Sequence, residues 1–129
     1  MRRIVLDMQS ELFAEAITKA LTDSNLGFMV YTSAKPKETV ALCLASQANV
    51  LLMEVNQQSP WSLDARKKIL DQLKSSEGGR HCRTLLLVDE KADEILAADV
   101  RQAVKDQLVD NFVYTSVSPT YLAGVIDTL

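Results

Sequence analysis

The feature that most limits what this chain can fold into is a repeated alternation. Short apolar runs, "RIVL" (3–6), "FMVYT" (28–32), "VLLMEV" (50–55), "TLLLV" (84–88) and "NFVYT" (111–115), are separated by longer stretches with apolar residues at helical spacing. Each run has strand length and each intervening stretch has helix length. A strand that is apolar on both faces must be covered on both faces, and crossover helices provide that cover. Five strands alternating with five helices predict a doubly wound α/β domain, with a parallel sheet between two helical layers.

The helices carry their own signals. Ser10 caps the first, with Phe13, Ala16, Ile17, Ala20 and Leu21 expected on its inner face, and "NLG" (25–27) ends it. Pro36 starts the second, whose expected stripe is Val40, Ala41, Leu44, Ala45 and Ala48. Ser62 caps the third, where Ala65, Ile69, Leu70 and Leu73 face inward before Gly78 and Gly79 close it. The charge run "DARKK" (64–68) reads as a solvated face. Leu96, Val100, Ala103, Val104 and Leu108 mark the fourth helix. Ser118 and Pro119 open the fifth, through Leu122, Val125, Ile126 and Leu129.

Composition narrows the function. The 129 residues fit one domain with a substantial core. A net charge of -3 gives no electrostatic footprint for a phosphate backbone, so direct nucleic-acid binding is not expected. No apolar run reaches the roughly 20 residues that span a bilayer. Asp7 cuts short the apolar run behind Arg2 and Arg3, so the N-terminus is not a secretory signal. Cys43 and Cys82 lack metal-ligand spacing; as two isolated thiols they suit a reducing cytoplasm and small core-filling roles. His81 has no ligand partners in sequence and reads as a loop residue.

In an open parallel sheet, ligands bind beyond the carboxyl ends of the strands, so those ends hold the candidate site residues. Asp7 and Met8 follow the first strand. Glu54 and Asn56 lie at the end of the third, Asp89 and Glu90 after the fourth, and Thr115 and Ser116 after the fifth. This layout resembles the receiver domain of two-component response regulators over essentially the whole chain. "LLMEVNQQSPW" is similar to the phosphoacceptor segment, with Glu54 at the position of the acceptor aspartate. "VYTSVSP" is similar to the segment that bears the family's Lys-Pro pair, with Thr115 and Ser116 in their places. The resemblance implies a flavodoxin-like sheet of strand order 2-1-3-4-5. It also implies a partner or dimer surface on the face of helix 4, strand 5 and helix 5, and Phe112 where the family often has a switching aromatic.

The departures define a degenerate, pseudo-receiver form. Of the acidic pair only Asp7 remains, because Met8 offers a soft thioether where Mg²⁺ wants oxygen. Asp89, or Val88 on a one-residue shift, stands where a neutral hydroxyl is usual, and Thr115 replaces the lysine's point charge with one neutral donor. Glu54 reaches one methylene further than aspartate, and a misplacement of about 1 Å can cost on the order of 100-fold. The expectation is no phosphoryl acceptance, no tight Mg²⁺ site, no catalytic residue and no cofactor. Asp7, Asp89 and Glu54 are expected as neighbouring carboxylates without a counter-ion. Glu54 reads either as a partial mimic of a phosphorylated aspartate or as a residue tolerated at a wet strand end. Trp61 reads as a lid on the pocket or as packing on the third helix; Tyr114 and Tyr121 read as partner-surface aromatics.

The function these readings imply is a cytoplasmic signalling module, not an enzyme, that acts by protein contacts. The domain is either free-standing or the N-terminal regulatory part of a longer transcription regulator. The alternatives are a phosphoacceptor with an unusual Glu54-centred site and an unrelated flavodoxin-like binding domain. No GxGxxG or GxxxxGK occurs, and "DMQSE" (7–11) has no glycine, which argues against a bound nucleotide or flavin.

Overall fold

A computed structural model describes residues 2–91 and 94–129. Five strands, β1 (Arg2–Asp7), β2 (Phe28–Thr32), β3 (Val50–Val55), β4 (Arg83–Val88) and β5 (Asn111–Tyr114), form one parallel sheet of order β2-β1-β3-β4-β5. They alternate with α1 (Glu11–Thr22), α2 (Thr39–Ser46), α3 (Leu63–Ser75), α4 (Glu94–Lys105) and α5 (Pro119–Thr128). The three-layer, doubly wound arrangement is the one the alternation predicts, and its flavodoxin-like strand order is the one the resemblance implies.

Strand periodicity builds the two cores. Ile4, Leu6, Val50, Leu52, Leu85, Leu87 and Val113 point to one face and pack under α1 and α5. Val5, Leu51, Met53, Val55, Leu86 and Val88 point to the other and pack under α2, α3 and α4. The alternation of side chains along each strand produces this division. The central strands β1, β3 and β4 are buried along most of their length, but β2 and β5 are the sheet edges and only Phe28 and Val113 are buried in them. Being apolar did not place every strand inside; having a neighbour on each side did.

Caps fix the helix starts. The hydroxyls of Ser10, Ser62 and Ser118 accept from the N–H groups of Phe13, Ala65 and Tyr121 at the first turns of α1, α3 and α5. Pro36 opens a 3-10 turn (Pro36–Glu38), and α2 proper begins at Thr39. Gly78 and Gly79 lie in a second 3-10 turn (Glu77–Gly79) after α3 has ended. A Cβ on Gly79 would collide with the backbone of Leu73, so that position needs glycine.

Several expected faces are corrected. In α1 the buried residues are Ala14, Ile17 and Leu21; Phe13 is partly buried and Ala16 faces solvent. In α2 they are Thr39 and Cys43, with Ala41, Leu44 and Ala45 exposed. Short helices rich in alanine offer several apolar faces, and the sheet selects one. In α3 the inward face is Leu63, Arg66, Ile69, Leu70 and Leu73, so Arg66 takes the place expected for Ala65. Leu108 lies beyond the end of α4, half-buried against the same core. No helix among the described residues is long and apolar enough to cross a membrane.

Candidate functional site

The carboxyl ends of β1 and β3 meet in register, Asp7 opposite Met53. Asp7 shares a strand face with Val5, whereas Glu54 shares one with Leu52, which belongs to the other core. The pleat therefore sends these two carboxylates to opposite sides of the sheet. The expected cluster of Asp7, Glu54 and Asp89 is not formed.

Asp7 turns toward α2 and α3 and is 1% exposed. Its counter-ion is Arg66, a residue of the supposedly solvated "DARKK" run that is 0% exposed. The guanidinium makes three bonds. Nη1 donates to Asp7 Oδ2 at 2.7 Å, Nη2 to the Asp7 carbonyl at 3.1 Å, and Nε to the Glu54 carbonyl at 2.8 Å. One arginine thus pins the tips of both central strands to α3. The Thr39 hydroxyl donates to the same Asp7 Oδ2 at 2.6 Å and lies 2.9 Å from Ser33 Oγ. A buried charge is tolerable only when paired and hydrogen-bonded, and Asp7 is both.

Glu54 faces the start of α1, half-buried, and its Oε1 accepts from the Gln9 backbone N–H at 2.9 Å. Neutral amides complete this side. Asn56 Nδ2 donates to Gln9 Oε1 at 2.8 Å, Gln9 Nε2 to Gln58 Oε1 at 3.0 Å, and the Gln58 N–H to Asn56 Oδ1 at 2.7 Å. Met8 is buried in the α1 side of the core. Trp61 is half-buried and walls a cavity of about 650 Å³ beside Met8, Ala14, Thr18, Ser33 and Pro36. Its indole Nε1 is buried without a hydrogen-bond partner among the described residues.

The outer strand tips are wetter. Asp89 is exposed; its Oδ1 accepts from the Lys91 N–H at 2.9 Å, and it borders a depression shared with Val55, Asn56 and Gln58. Glu90 Oε2 accepts from the Ser116 hydroxyl at 2.8 Å. Thr115, half-buried just past β5, is tied through its N–H to the Val88 carbonyl at 2.9 Å. Phe112 packs edge-on against Tyr114, ring centres 5.5 Å apart. These two residues, Val117 and the exposed Tyr121 line an open groove along β5 and α5.

These residues do not fit a divalent metal. The Asp7 carboxylate that would hold one already carries a guanidinium, and a cation placed beside it would meet like charge. Met8 brings no oxygen, and Glu54 is aimed across the sheet. Among the described residues no group of three or more His, Cys, Asp or Glu side chains converges on one point.

Comparison with solved structures gives the fold its company. The chain is similar to a response regulator receiver domain from Clostridium thermocellum, with a TM-score of 0.77 and 15% identity over 99% of this chain and 93% of that one. A chemotaxis protein of Vibrio cholerae matches with a TM-score of 0.76 and 18% identity, over 100% and 99% of the two chains. The signal receiver domain of a DNA-binding response regulator from Colwellia psychrerythraea matches with a TM-score of 0.76 and 14% identity, over 99% and 97%. The fold is that of response-regulator receiver domains. No family model matches the sequence, and no curated protein does.

Sequence reasoning missed Arg66, and the signal was present. Leu63, Arg66, Ile69, Leu70 and Leu73 recur at helical spacing, so the arginine stands in the middle of an apolar stripe.

Proposed function

We propose that this chain is a receiver-like signalling module that accepts no phosphoryl group, is not an enzyme, and acts by protein contacts in the cytoplasm. The observation that supports this most is the buried Asp7–Arg66 pair, which fills with a fixed protein cation the place where metal chemistry would need a free carboxylate. Phosphoryl transfer depends on positioning and charge neutralisation, and both are committed here to structure. Glu54, its carboxylate held by Gln9, occupies the acceptor position with its negative charge turned toward α1.

The contact surface in this reading is the face of α4, β5 and α5, whose aromatic groove includes Phe112, Tyr114 and Tyr121. Its occupant is a second copy of this chain, since β5 is a sheet edge with one side of its backbone unpaired within the sheet. The Colwellia neighbour comes from a DNA-binding regulator, and by analogy this module regulates an attached output domain.

Incubation with acetyl phosphate and Mg²⁺ followed by intact mass tests the central claim. The expected result is an unchanged mass; an added phosphoryl group would replace this reading with a phosphoacceptor centred on Glu54. Sedimentation of the wild type and of Tyr121→Glu tests the surface. The wild type should associate and the variant should not, and a wild type that stays monomeric would discard the self-association.

A further inference from the structure

The cavity of about 650 Å³ that Trp61 walls lies between α1 and the segment that follows β2. Sites that hold small organic molecules span about 300–1,000 Å³, so its size suits one. Met8, Ala14, Ala34 and Pro36 give it apolar surface, and Trp61 adds an aromatic one. The phosphoacceptor-equivalent Glu54 does not line it.

The buried and half-buried polar groups beside it are largely matched already. Asp7 is held by Arg66 and Thr39, the Thr18 hydroxyl donates to the Ala14 carbonyl at 2.8 Å, and the Ser33 hydroxyl donates to the Lys35 carbonyl at 2.8 Å. The Trp61 indole N–H is the exception, withdrawn from water and without an acceptor among the described residues. Native proteins seldom leave a buried donor unmatched. Trp61 sits in the loop between β3 and α3, where a small tilt of the ring brings this N–H to an oxygen in the cavity.

Charge along the rim selects the sign of the occupant. Glu11 and Glu15 stand one turn apart on α1, both exposed, and among the described residues neither has an ion-pair partner. Lys19, the only cation among the described residues of the lining, is engaged by Asp23 at 3.1 Å. Asp7 is neutralised by Arg66. Two carboxylates are thus left without compensation, a field that repels an anion and attracts a cation.

We propose that this cavity binds a small organic amine. Its aromatic or aliphatic body lies on the apolar wall, its ammonium meets Glu11 and Glu15, and a hydroxyl or carbonyl oxygen accepts from Trp61 Nε1. Occupancy ties the β3–α3 loop to α1. The proposal is independent of phosphoryl acceptance, because Asp7 enters it only as a side chain already neutralised.

Trp61 is the only tryptophan of the chain, so a single indole N–H resonance reports on the site. Tyramine, which combines a ring, an ammonium and a phenolic oxygen, is titrated into the whole chain and followed by that resonance and by calorimetry. A saturable shift of the indole resonance is expected. The neutral analogue tyrosol should bind roughly fivefold more weakly, a modest factor because exposed ion pairs are individually weak. The anion para-hydroxyphenylacetate should leave the resonance in place. The double variant Glu11→Gln/Glu15→Gln alters only exposed side chains; its tyramine affinity should fall to that of tyrosol, while tyrosol binding stays unchanged. In Trp61→Phe, read by calorimetry, tyramine should lose its advantage over phenethylamine, which lacks the oxygen. An indole resonance that never shifts, para-hydroxyphenylacetate binding as tightly as tyramine, or full tyramine affinity in the double variant would each overturn the proposal. So would a tyramine preference that survives in Trp61→Phe.

Discussion

The tips of β1 and β3 and the tips of β4 and β5 lie at the same end of one sheet, yet they are built in opposite ways. At the first pair, a carboxylate and a guanidinium are both withdrawn from water and joined to each other, to Thr39 and to two backbone carbonyls. At the second, Asp89, Glu90 and Ser116 are exposed and make local bonds on the surface. The difference teaches where the chain is fixed and where it is free to adjust. Charges inside a low-dielectric core have no alternative partners, whereas charges at the surface can exchange theirs for water.

The contrast is broken most directly at Arg66. Arg66→Met leaves Asp7 buried without a counter-ion and the Glu54 carbonyl without its donor. Removing one partner of a buried pair costs about 3–5 kcal/mol, and urea unfolding should show the midpoint falling accordingly. The double variant Asp7→Leu/Arg66→Met should recover more than half of that loss, because an apolar pair of similar volume avoids the desolvation of both charges. A single variant that unfolds like the wild type would mean that the inner tips are no more rigid than the outer ones.

How far the sequence could be read follows the same division. The sheet, its parallel sense and the order of elements were legible because burial on two faces leaves near-continuous apolar runs such as "LLMEV" and "TLLLV". The edge exposure of β2 was not, since Met29 and Tyr31 suit a strand whether or not a neighbour covers them. At the site, the positions Asp7, Met8, Glu54, Asn56, Asp89 and Thr115 all fall at or near strand ends. Their partners were hidden because an arginine between an alanine and two lysines looks solvated until the helix is turned and Leu63 and Ile69 are seen beside it. The orientation of Asp7 away from Glu54 depends on register, a property of two strands together that neither reveals alone.

A second break sits one bond further out. Thr39→Val keeps the shape of the side chain but removes the hydroxyl that donates to Asp7 at 2.6 Å. Hydrogen bonds to charged groups contribute about 1.5–3 kcal/mol, so the expected loss in urea unfolding lies in that range and below that of Arg66→Met. A loss near zero would show that the ion pair alone satisfies Asp7. Ser62→Ala acts at the start of α3, where the hydroxyl accepts from the Ala65 N–H at 3.3 Å. Loss of a cap costs about 1 kcal/mol. Because Arg66 sits in that first turn, amide exchange should also quicken there before it does in α4.

The comparison is sharpened by the smallest effect. Ser116→Ala removes the hydroxyl that reaches Glu90 across the tips of β4 and β5. Both side chains are exposed, water replaces the lost bond at once, and surface substitutions of this kind stay within about 0.5 kcal/mol. Urea unfolding should therefore barely move. The decisive quantity is the ratio between this change and that of Thr39→Val, since each removes one hydroxyl from one carboxylate at the same end of the sheet. If burial is what separates a fixed tip from an adjustable one, the inner hydroxyl must cost several times the outer. Equal costs would place the rigidity of the inner tips in the packing of Leu63, Ile69 and Met53 instead of in the charges they surround.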